Sequence, residues 1–329
     1  MRRLFLLLVF VVIAWVGFSV FVPAGPTTET FVEIPTGTPG IRIAALLKQQ
    51  GIIRSKDLFE AMHLIKGGTL KAGEYRFDHP AKMAEVFDRL RRGDVYTVAV
   101  TVPEGSNLFD IAQRLEAARL GGKDAFMAAA RTHATMVADL DPQAQSLEGY
   151  LFPDTYHFPR SATALQIVST MVRRFRQETG GLGLTAGNYH HVVTLASLVE
   201  RETPIPAERP LVASVFENRL SKEMPLMTDP SVIYAALLDG RYRGTIYASD
   251  LQADSPYNTY RHPGLPPGPI CNPGLVSLKA AMTPAQTNYL YFVAASADPS
   301  GKSKFSATLE EHTHNVQEYR KSLHEAGAR

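Results

Sequence analysis

Two carboxylates stand at the end of an apolar stretch. Residues 191–203 run His-Val-Val-Thr-Leu-Ala-Ser-Leu-Val-Glu-Arg-Glu-Thr, and Pro204 and Pro206 follow. Val192, Leu195, Ala196 and Val199 recur at helical spacing, and the unbroken apolar run over 195–199 predicts a helix with contacts on all sides. Burial disfavours the charged form of a carboxyl and raises its pKa, which suits a general acid that must hold a proton near neutral pH. Glu200 is the candidate for that role. Side chains two residues apart point to different sides of a helix, so one of Glu200 and Glu202 is expected in the buried environment and the other toward Arg201 or solvent. A purely structural reading is also open, in which Glu200 ends a core helix in an ion pair, for example with Arg219.

A second group of residues could hold a polar, ring-shaped ligand. The stretch Ser146-Leu-Glu-Gly-Tyr-Leu-Phe-Pro-Asp-Thr155 concentrates Glu148, Tyr150, Phe152, Asp154 and, just beyond, Tyr156. Acidic and aromatic side chains of this kind line sugar-binding clefts. The Pro/Gly-rich loops Ser255-Pro-Tyr-Asn-Thr-Tyr260 and Pro263-Gly-Leu-Pro-Pro-Gly268 have almost no apolar periodicity and offer Tyr257, Asn258, Thr259 and Tyr260 as donors, acceptors and stacking faces. Thr228 and Asp229 precede an apolar run to about Leu238 and can cap a helix there.

Other chemistries find no support. There is no Gly-x-Ser-x-Gly and no His-Glu-x-x-His, and the pairs His190/His191 and His312/His314 have no carboxylate at ligand spacing in sequence, so no metal is expected. Gly301-Lys302-Ser303 invites a phosphate-loop reading, but Ser296 stands where the first glycine is needed, and a hairpin turn over 298–301 fits better. The single cysteine, Cys271, excludes an intrachain disulfide and a multi-cysteine zinc site. A net charge of +2 without a basic, aromatic-studded stripe gives no reason to expect a nucleic-acid partner.

These groups need elements to carry them, and 329 residues with 45% hydrophobic side chains suffice for one or two domains with a real core. Before those domains, Arg2 and Arg3 precede an uncharged apolar stretch over 4–22, about 28 Å long as a helix and enough to cross a bilayer core. Arg2 and Arg3 on one side, with Glu29 and Glu33 on the other, predict a cytoplasmic N-terminus and an external remainder. A cleaved signal peptide is the alternative, but Pro23-Ala24-Gly25 matches a cleavage site poorly. Residues 23–30, rich in Pro and Thr, are expected to be a spacer that holds the rest off the membrane.

An internal duplication follows. Pro35, Gly37, Ile43, Ala44 and Leu47 map at one constant offset onto Pro103, Gly105, Ile111, Ala112 and Leu115, and one deletion later Lys56-Asp-Leu-Phe59 recurs as Lys123-Asp-Ala-Phe126. Each copy predicts a strand, a Pro-x-Gly turn, a helix (41–49; 108–118), a second helix (56–63; 123–131), a strand at Glu74–Phe77 or Thr155–Phe158, and a further helix (81–91; 162–177). The 146–155 stretch is extra in the second copy, and insertions into repeats tend to be functional loops. Strand–helix–helix–strand units of this size resemble LysM modules, which bind N-acetylated glycans. Beyond them, 206–220 predicts a helix carrying Arg219, 279–282 a short helix, and 288–294 and 304–307 a pair of strands.

With Ala196-Ser-Leu-Val-Glu-Arg-Glu-Thr203, Leu147-Glu-Gly…Phe152-Pro-Asp-Thr155, Ser214-Val-Phe-Glu-Asn-Arg-Leu220, Thr228-Asp-Pro-Ser-Val-Ile-Tyr234, Tyr257-Asn-Thr-Tyr260 and Gly264-Leu-Pro-Pro-Gly268 in this order, nearly the whole chain closely resembles the MltG/YceG-like endolytic murein transglycosylases. The resemblance implies that Glu200, the first Glu of Val-Glu-x-Glu-Thr, is the catalytic acid/base. Peptidoglycan glycan strands are then the substrate, no cofactor is needed, and the protein is a single-pass inner-membrane protein with a periplasmic catalytic domain that ends growing strands. It makes cell-wall synthesis proteins candidate partners. The expected architecture is α+β: a cytoplasmic start and transmembrane anchor over 1–22, a linker over 23–30, a LysM-like subdomain over 31–98 and a mixed α/β catalytic domain over 99–329. Glu148, Tyr150, Asp154, Tyr156, Glu202, Thr228, Asp229, Tyr257, Asn258 and Tyr260 are expected to line the glycan site. Two alternatives stay open. A hydrolytic muramidase would need a second carboxylate, for which Glu202, Asp154, Asp229 or Asp254 could serve, and a non-catalytic glycan-binding scaffold would need only the LysM-like unit and the aromatic loops.

Overall fold

The Pro-x-Gly turn that recurs in the sequence closes in the same way twice: Gly37 and Gly105 take φ of +80° and +76°, a left-handed conformation that a Cβ would strain. Around these turns a computed structural model, which describes residues 2–298 and 301–327, shows the two copies as the same series of elements. Its contacts divide the chain into two units, residues up to Val98 with His157–Arg160, and Ala99–Tyr156 with all that follows Ser161.

In the first unit, helix α1 (Arg2–Phe21) leads to strand β1 (Thr30–Ile34), helices α2 (Gly40–Gln49) and α3 (Lys56–Lys66), strand β2 (Gly73–Phe77) and helix α4 (Met83–Arg92). β1 and β2 pair antiparallel with Val32 opposite Tyr75. Period-2 alternation turns Val32, Ile34, Tyr75 and Phe77 inward, where they meet Ile43, Ala44 and Leu47 of α2, Phe59 of α3, and Val86, Phe87 and Leu90 of α4. The Ser55 side chain caps α3 by accepting from the Leu58 amide.

α1 is apolar and long enough to cross a membrane, and most of its large side chains are exposed. Its last turn is held by the unit that follows. Ser19 is buried, Val20 packs on the core, and Arg54 lies over the Phe18 ring while donating to the carbonyls of Val22 at 2.5 Å and Pro23 at 2.7 Å. Ala24 bridges to Ala81. The stretch expected as a free spacer is therefore tied down at its start, because those carbonyls beyond a helix end take donors from the domain.

In the second copy, strand β3 (Val98–Thr101), helices α5 (Leu108–Ala117) and α6 (Lys123–Thr132), strand β4 (Thr155–Phe158) and helix α7 (Ala164–Thr179) repeat the pattern, and β3 pairs with β4. Reciprocal capping boxes, Asn107 with Asp110 and Thr163 with Gln166, start α5 and α7. Then come α8 (Tyr189–Glu202), a 3-10 turn (Pro206–Glu208), α9 (Arg209–Ser221), α10 (Asp229–Leu238), the short α11 (Ala248–Leu251), α12 (Leu275–Met282), the hairpin β5 (Tyr291–Ala294) and β6 (Ser303–Ser306), and α13 (Leu309–Gly327). The helix expected over 206–220 is thus a tight turn followed by α9. α11 and α13 were not anticipated. The turn expected over 298–301 includes Pro299 and Ser300, which lie outside the described residues. The whole is a mixed helix-and-strand fold, in which α8 packs on α9, α10 and α12.

Candidate active site

Every residue from Val192 to Val199 is buried, so α8 is enclosed on all sides, as its unbroken apolar run requires. The helix stops at Thr203, extended at φ −135°, ahead of Pro204. The Pro206–Glu208 turn then brings the chain straight back. Buried Glu208 locks that turn by accepting from Thr203 Oγ1, from the Ser303 amide at 2.7 Å and from Ser303 Oγ at 2.9 Å. Arg209, the next residue, is consequently aimed at the end of α8.

There Arg209 Nη2 donates to Glu200 Oε1 at 2.7 Å, with the Arg209 and Glu200 side chains only 7% and 4% exposed. Glu200 Oε2 accepts from the Gly274 amide at 2.9 Å. The ion pair is with Arg209, not with Arg219, whose guanidinium donates to the carbonyls of Leu290 and Leu226. Arg209 Nη1 also lies 3.5 Å from Oε2 of Glu104, a carboxylate that is 47% exposed. Glu104 is the middle residue of the Pro103–Gly105 turn. It occupies the space beside Gly274 that a side chain there would fill.

Asn272, fully buried, binds these segments together. It exchanges backbone hydrogen bonds with Gly105 and Ser106, donates from Nδ2 to the Ser106 carbonyl and to Glu148 Oε1, and accepts on Oδ1 from the Leu151 amide. Glu148 Oε2 accepts in turn from Leu108, at the start of α5. Burial pushes the Glu148 carboxyl up to about 8, against the pull of the hydrogen bond from the Leu108 amide.

Glu202 was expected to diverge from Glu200, and it does, but not toward solvent. Its Oε2 is buried without a hydrogen-bond partner, and burial, aided by the nearby Asp229 charge and opposed by Arg219, raises its pKa to about 7. Both carboxylates are therefore enclosed. Glu202 has the raised pKa, and Glu200 is the one held by two donors. Thr228 Oγ1 is also buried without a partner, while Tyr260 donates to Asp229 at 2.7 Å.

The aromatic and polar residues expected to line the site divide by exposure. Tyr150 is fully buried, its ring against Phe175 and its hydroxyl bonded to Asp141. Tyr156 donates to the Phe152 carbonyl. Asp154 pairs with Arg174 at 2.7 Å. Asn258 donates to the carbonyls of Leu251 and Ala253 and accepts from the Tyr260 amide, so its polar groups close its own loop. Tyr150, Tyr156, Asn258, Glu148 and Thr228 are buried, whereas Asp154 is partly exposed. Tyr257, Asp229 and Tyr260 keep accessible surface, and Tyr257 packs at 5.1 Å on Tyr234 with its hydroxyl pushed up to about 12 by burial. The histidines do find carboxylates in space: His190 pairs with Asp141 at 2.8 Å and His191 with Glu217 at 2.6 Å, contacts between separate elements that sequence spacing cannot reveal.

Sequence reasoning missed Arg209, Glu104, Gly274 and Asn272. The signal for Glu104 was available in the duplication, since the turn that carries Glu104 between Pro103 and Gly105 carries Thr36 between Pro35 and Gly37.

The sequence matches the YceG-like family over residues 32–318. It is 35% identical to the endolytic murein transglycosylase of Bacillus subtilis (strain 168), across 94% of this chain and 90% of that one. The endolytic murein transglycosylase of Streptococcus pneumoniae serotype 2 (strain D39) is 29% identical across 88% of this chain, which spans 58% of that longer protein. The 2.6 Å crystal structure of a protein described as yceG-like from Listeria monocytogenes superposes with a TM-score of 0.56 at 32% identity, covering 88% of this chain and 99% of that one.

Proposed function

Because the chain belongs to the YceG-like family, we propose that it is a membrane-anchored endolytic murein transglycosylase whose acid/base is Glu200. The observation that carries this reading is the Glu200 carboxyl itself, enclosed at the end of α8 and oriented through both oxygens, by Arg209 and by the Gly274 amide. A hydrolase normally needs two carboxyl groups, whereas a lytic transglycosylase can use one, because its nucleophile is already part of the substrate. Protonated Glu200 gives its proton to the glycosidic oxygen between N-acetylmuramic acid and N-acetylglucosamine as the bond to C1 breaks. The muramic 6-hydroxyl then attacks C1, its proton passes to the Glu200 carboxylate, and a 1,6-anhydro ring closes. The protein's task is orientation and exclusion of water. Tyr257, Asp229 and Tyr260 are our candidates for contact with the sugar.

The strand–helix–helix–strand unit over 31–98 we take as LysM-like and glycan-binding. A groove of about 600 Å³, with Pro35, Pro39 and Leu46 beside Thr36, Arg42 and Gln49, has the size for a sugar ring, an apolar floor and a few polar groups. We place α1 across the inner membrane with Arg2 and Arg3 in the cytoplasm and the rest in the periplasm, where the substrate lies. Termination of growing strands and contact with cell-wall synthesis proteins belong to the same reading.

The test is mass spectrometry of peptidoglycan digested by the full-length protein in detergent, beside its Glu200→Gln form. Ends in 1,6-anhydromuramic acid, lost by at least about 100-fold in the variant, are expected. Reducing ends would mean hydrolysis and a second carboxylate, and normal turnover by a folded variant would remove Glu200 from the mechanism.

A further inference from the structure

We propose that Glu104 is a positioning residue of this catalytic centre, sharing Arg209 with Glu200 and so limiting the hold of that guanidinium on the acid/base. The inference rests on the transglycosylase reading above. Arg209 Nη2 meets Glu200 at 2.7 Å and its Nη1 meets Glu104 at 3.5 Å, while its buried Nε has no partner. One guanidinium thus serves two carboxylates. The buried one is pinned by the Gly274 amide, and the other is nearly half exposed on a turn. A second carboxylate beside an ion pair acts on it in two ways: it draws the cation toward itself, and it repels the first carboxylate's charge. Both effects weaken the hold of Arg209 on the Glu200 carboxylate.

The duplication gives this arrangement an internal control. Gly37 and Gly105 hold the same turn, with φ of +80° and +76°. In the first copy a Cβ on Gly37 would meet nothing within 4 Å, and the middle residue is Thr36. In the second copy the turn lies against the acid/base, where a Cβ on Gly105 would come 3.5 Å from Glu200 Cγ and 3.4 Å from Arg201 Cδ. Gly274, with no side chain, leaves room for the Glu104 carboxylate, which a Cβ there would strike. The turn itself thus needs no carboxylate, and a carboxylate stands only where the turn reaches Glu200. The other groups facing Glu200 are Arg201, which donates to the Gly105 carbonyl, and the Cys271 thiol, whose pKa burial and then the Glu148 and Glu200 charges raise. During the reaction Glu104 and Arg209 neither gain nor lose atoms. The proton moves only between Glu200, the glycosidic oxygen and the 6-hydroxyl.

The experiment measures initial rates of anhydro-ended product from purified glycan strands, across about pH 5 to pH 9, for full-length protein in detergent as wild type, Glu104→Gln, Glu104→Thr and Glu104→Asp. With Glu104 neutralised, Arg209 is left wholly to Glu200. The alkaline limb of the rate profile is then expected to move to lower pH by about half a unit to one unit. Activity should fall several-fold at about pH 7.5, recover at about pH 5.5, and keep its KM, with the Asp variant close to wild type. The Thr variant guards against misfolding, because the first copy of the turn already carries Thr. Superimposable profiles, an equal loss at every pH, or a rise in KM alone would each overturn the role assigned to Glu104 while leaving the transglycosylase reading intact. Absence of anhydro ends from the wild type would instead overturn that reading, and this inference with it.

Discussion

Replacing Glu202 with Gln should make the protein more stable at alkaline pH and leave it nearly unchanged in acid. The folded state holds a proton on Glu202 up to about pH 7, because its carboxyl is buried beside Asp229 and its Oε2 has no donor to stabilise a charge. The unfolded chain releases that proton at the ordinary value of 4.5. Between these limits the native state binds more protons than the unfolded state, so stability falls as pH rises. The contribution is complete below 4.5 and gone once pH has risen through about 7. At about 1.4 kcal/mol per pH unit over that interval, the loss is about 3 kcal/mol. Gln has the same shape and no charge to bury, so it escapes the loss, apart from an offset of up to about 1 kcal/mol for an amide without a partner. The assay is urea unfolding of both proteins in detergent, followed by circular dichroism at several pH values between about 4 and 8.5. The difference between the two proteins is the quantity to follow, since Glu148 titrates in the same direction in both and cancels. A difference that does not change with pH, or a variant less stable than wild type at the alkaline end, would refute the assignment of a buried, proton-holding carboxyl to Glu202.

Two further substitutions test the geometry elsewhere. Gly274→Ala is compatible with the local backbone, at φ −78°, but its Cβ would displace the Glu104 carboxylate; it should therefore reproduce the pH-dependent rate loss of Glu104→Thr without lowering the unfolding midpoint, and a normal rate profile would show that Glu104 does not need that space. Arg54→Ala removes two hydrogen bonds to the carbonyls of Val22 and Pro23; protease cleavage within 22–30 should speed up by about tenfold, against an unchanged rate if the end of α1 is held by packing alone.

What was legible in the sequence follows from how locally each feature is determined. The duplicated unit could be read because a positive-φ glycine, a helix face at three- and four-residue spacing and a strand alternation are all written within about ten residues of chain, and the helices begin and end within three residues of their expected bounds. The enclosure of α8 was equally plain in eight successive buried positions. The partners of Glu200 were not, because Arg209 reaches it only through the tight return at Pro206–Glu208, and Gly274 and Glu104 come from loops far along the chain. The aromatic and amide residues were legible in type but not in direction. Tyr150, Tyr156 and Asn258 direct their polar atoms to Asp141, to the Phe152 carbonyl and to their own loop, as buried polar groups must when they cannot reach water.

The two glutamates illustrate why composition alone could not assign their roles. Both stand in the last turn of α8, whose C-terminal end carries unsatisfied carbonyls and is the unfavourable end of the helix dipole for a carboxylate. Burial adds to that cost, and a two-residue separation sends the side chains to different neighbours. The structure meets the same difficulty in two ways. On one side a cation and an amide compensate the Glu200 carboxylate, at 2.7 and 2.9 Å, and keep it aimed. On the other, Glu202 lies without such donors beside a second acid, and retaining its proton removes the charge. The first solution leaves a carboxylate aimed by two donors, whereas the ionisation of the second answers to the charges of Asp229 and Arg219. Reversible loss and recovery of a proton within one turnover, which the transglycosylase cycle demands, is the role we propose for Glu200. Glu104, nearly half exposed on its turn, is the second carboxylate that Arg209 reaches, at 3.5 Å.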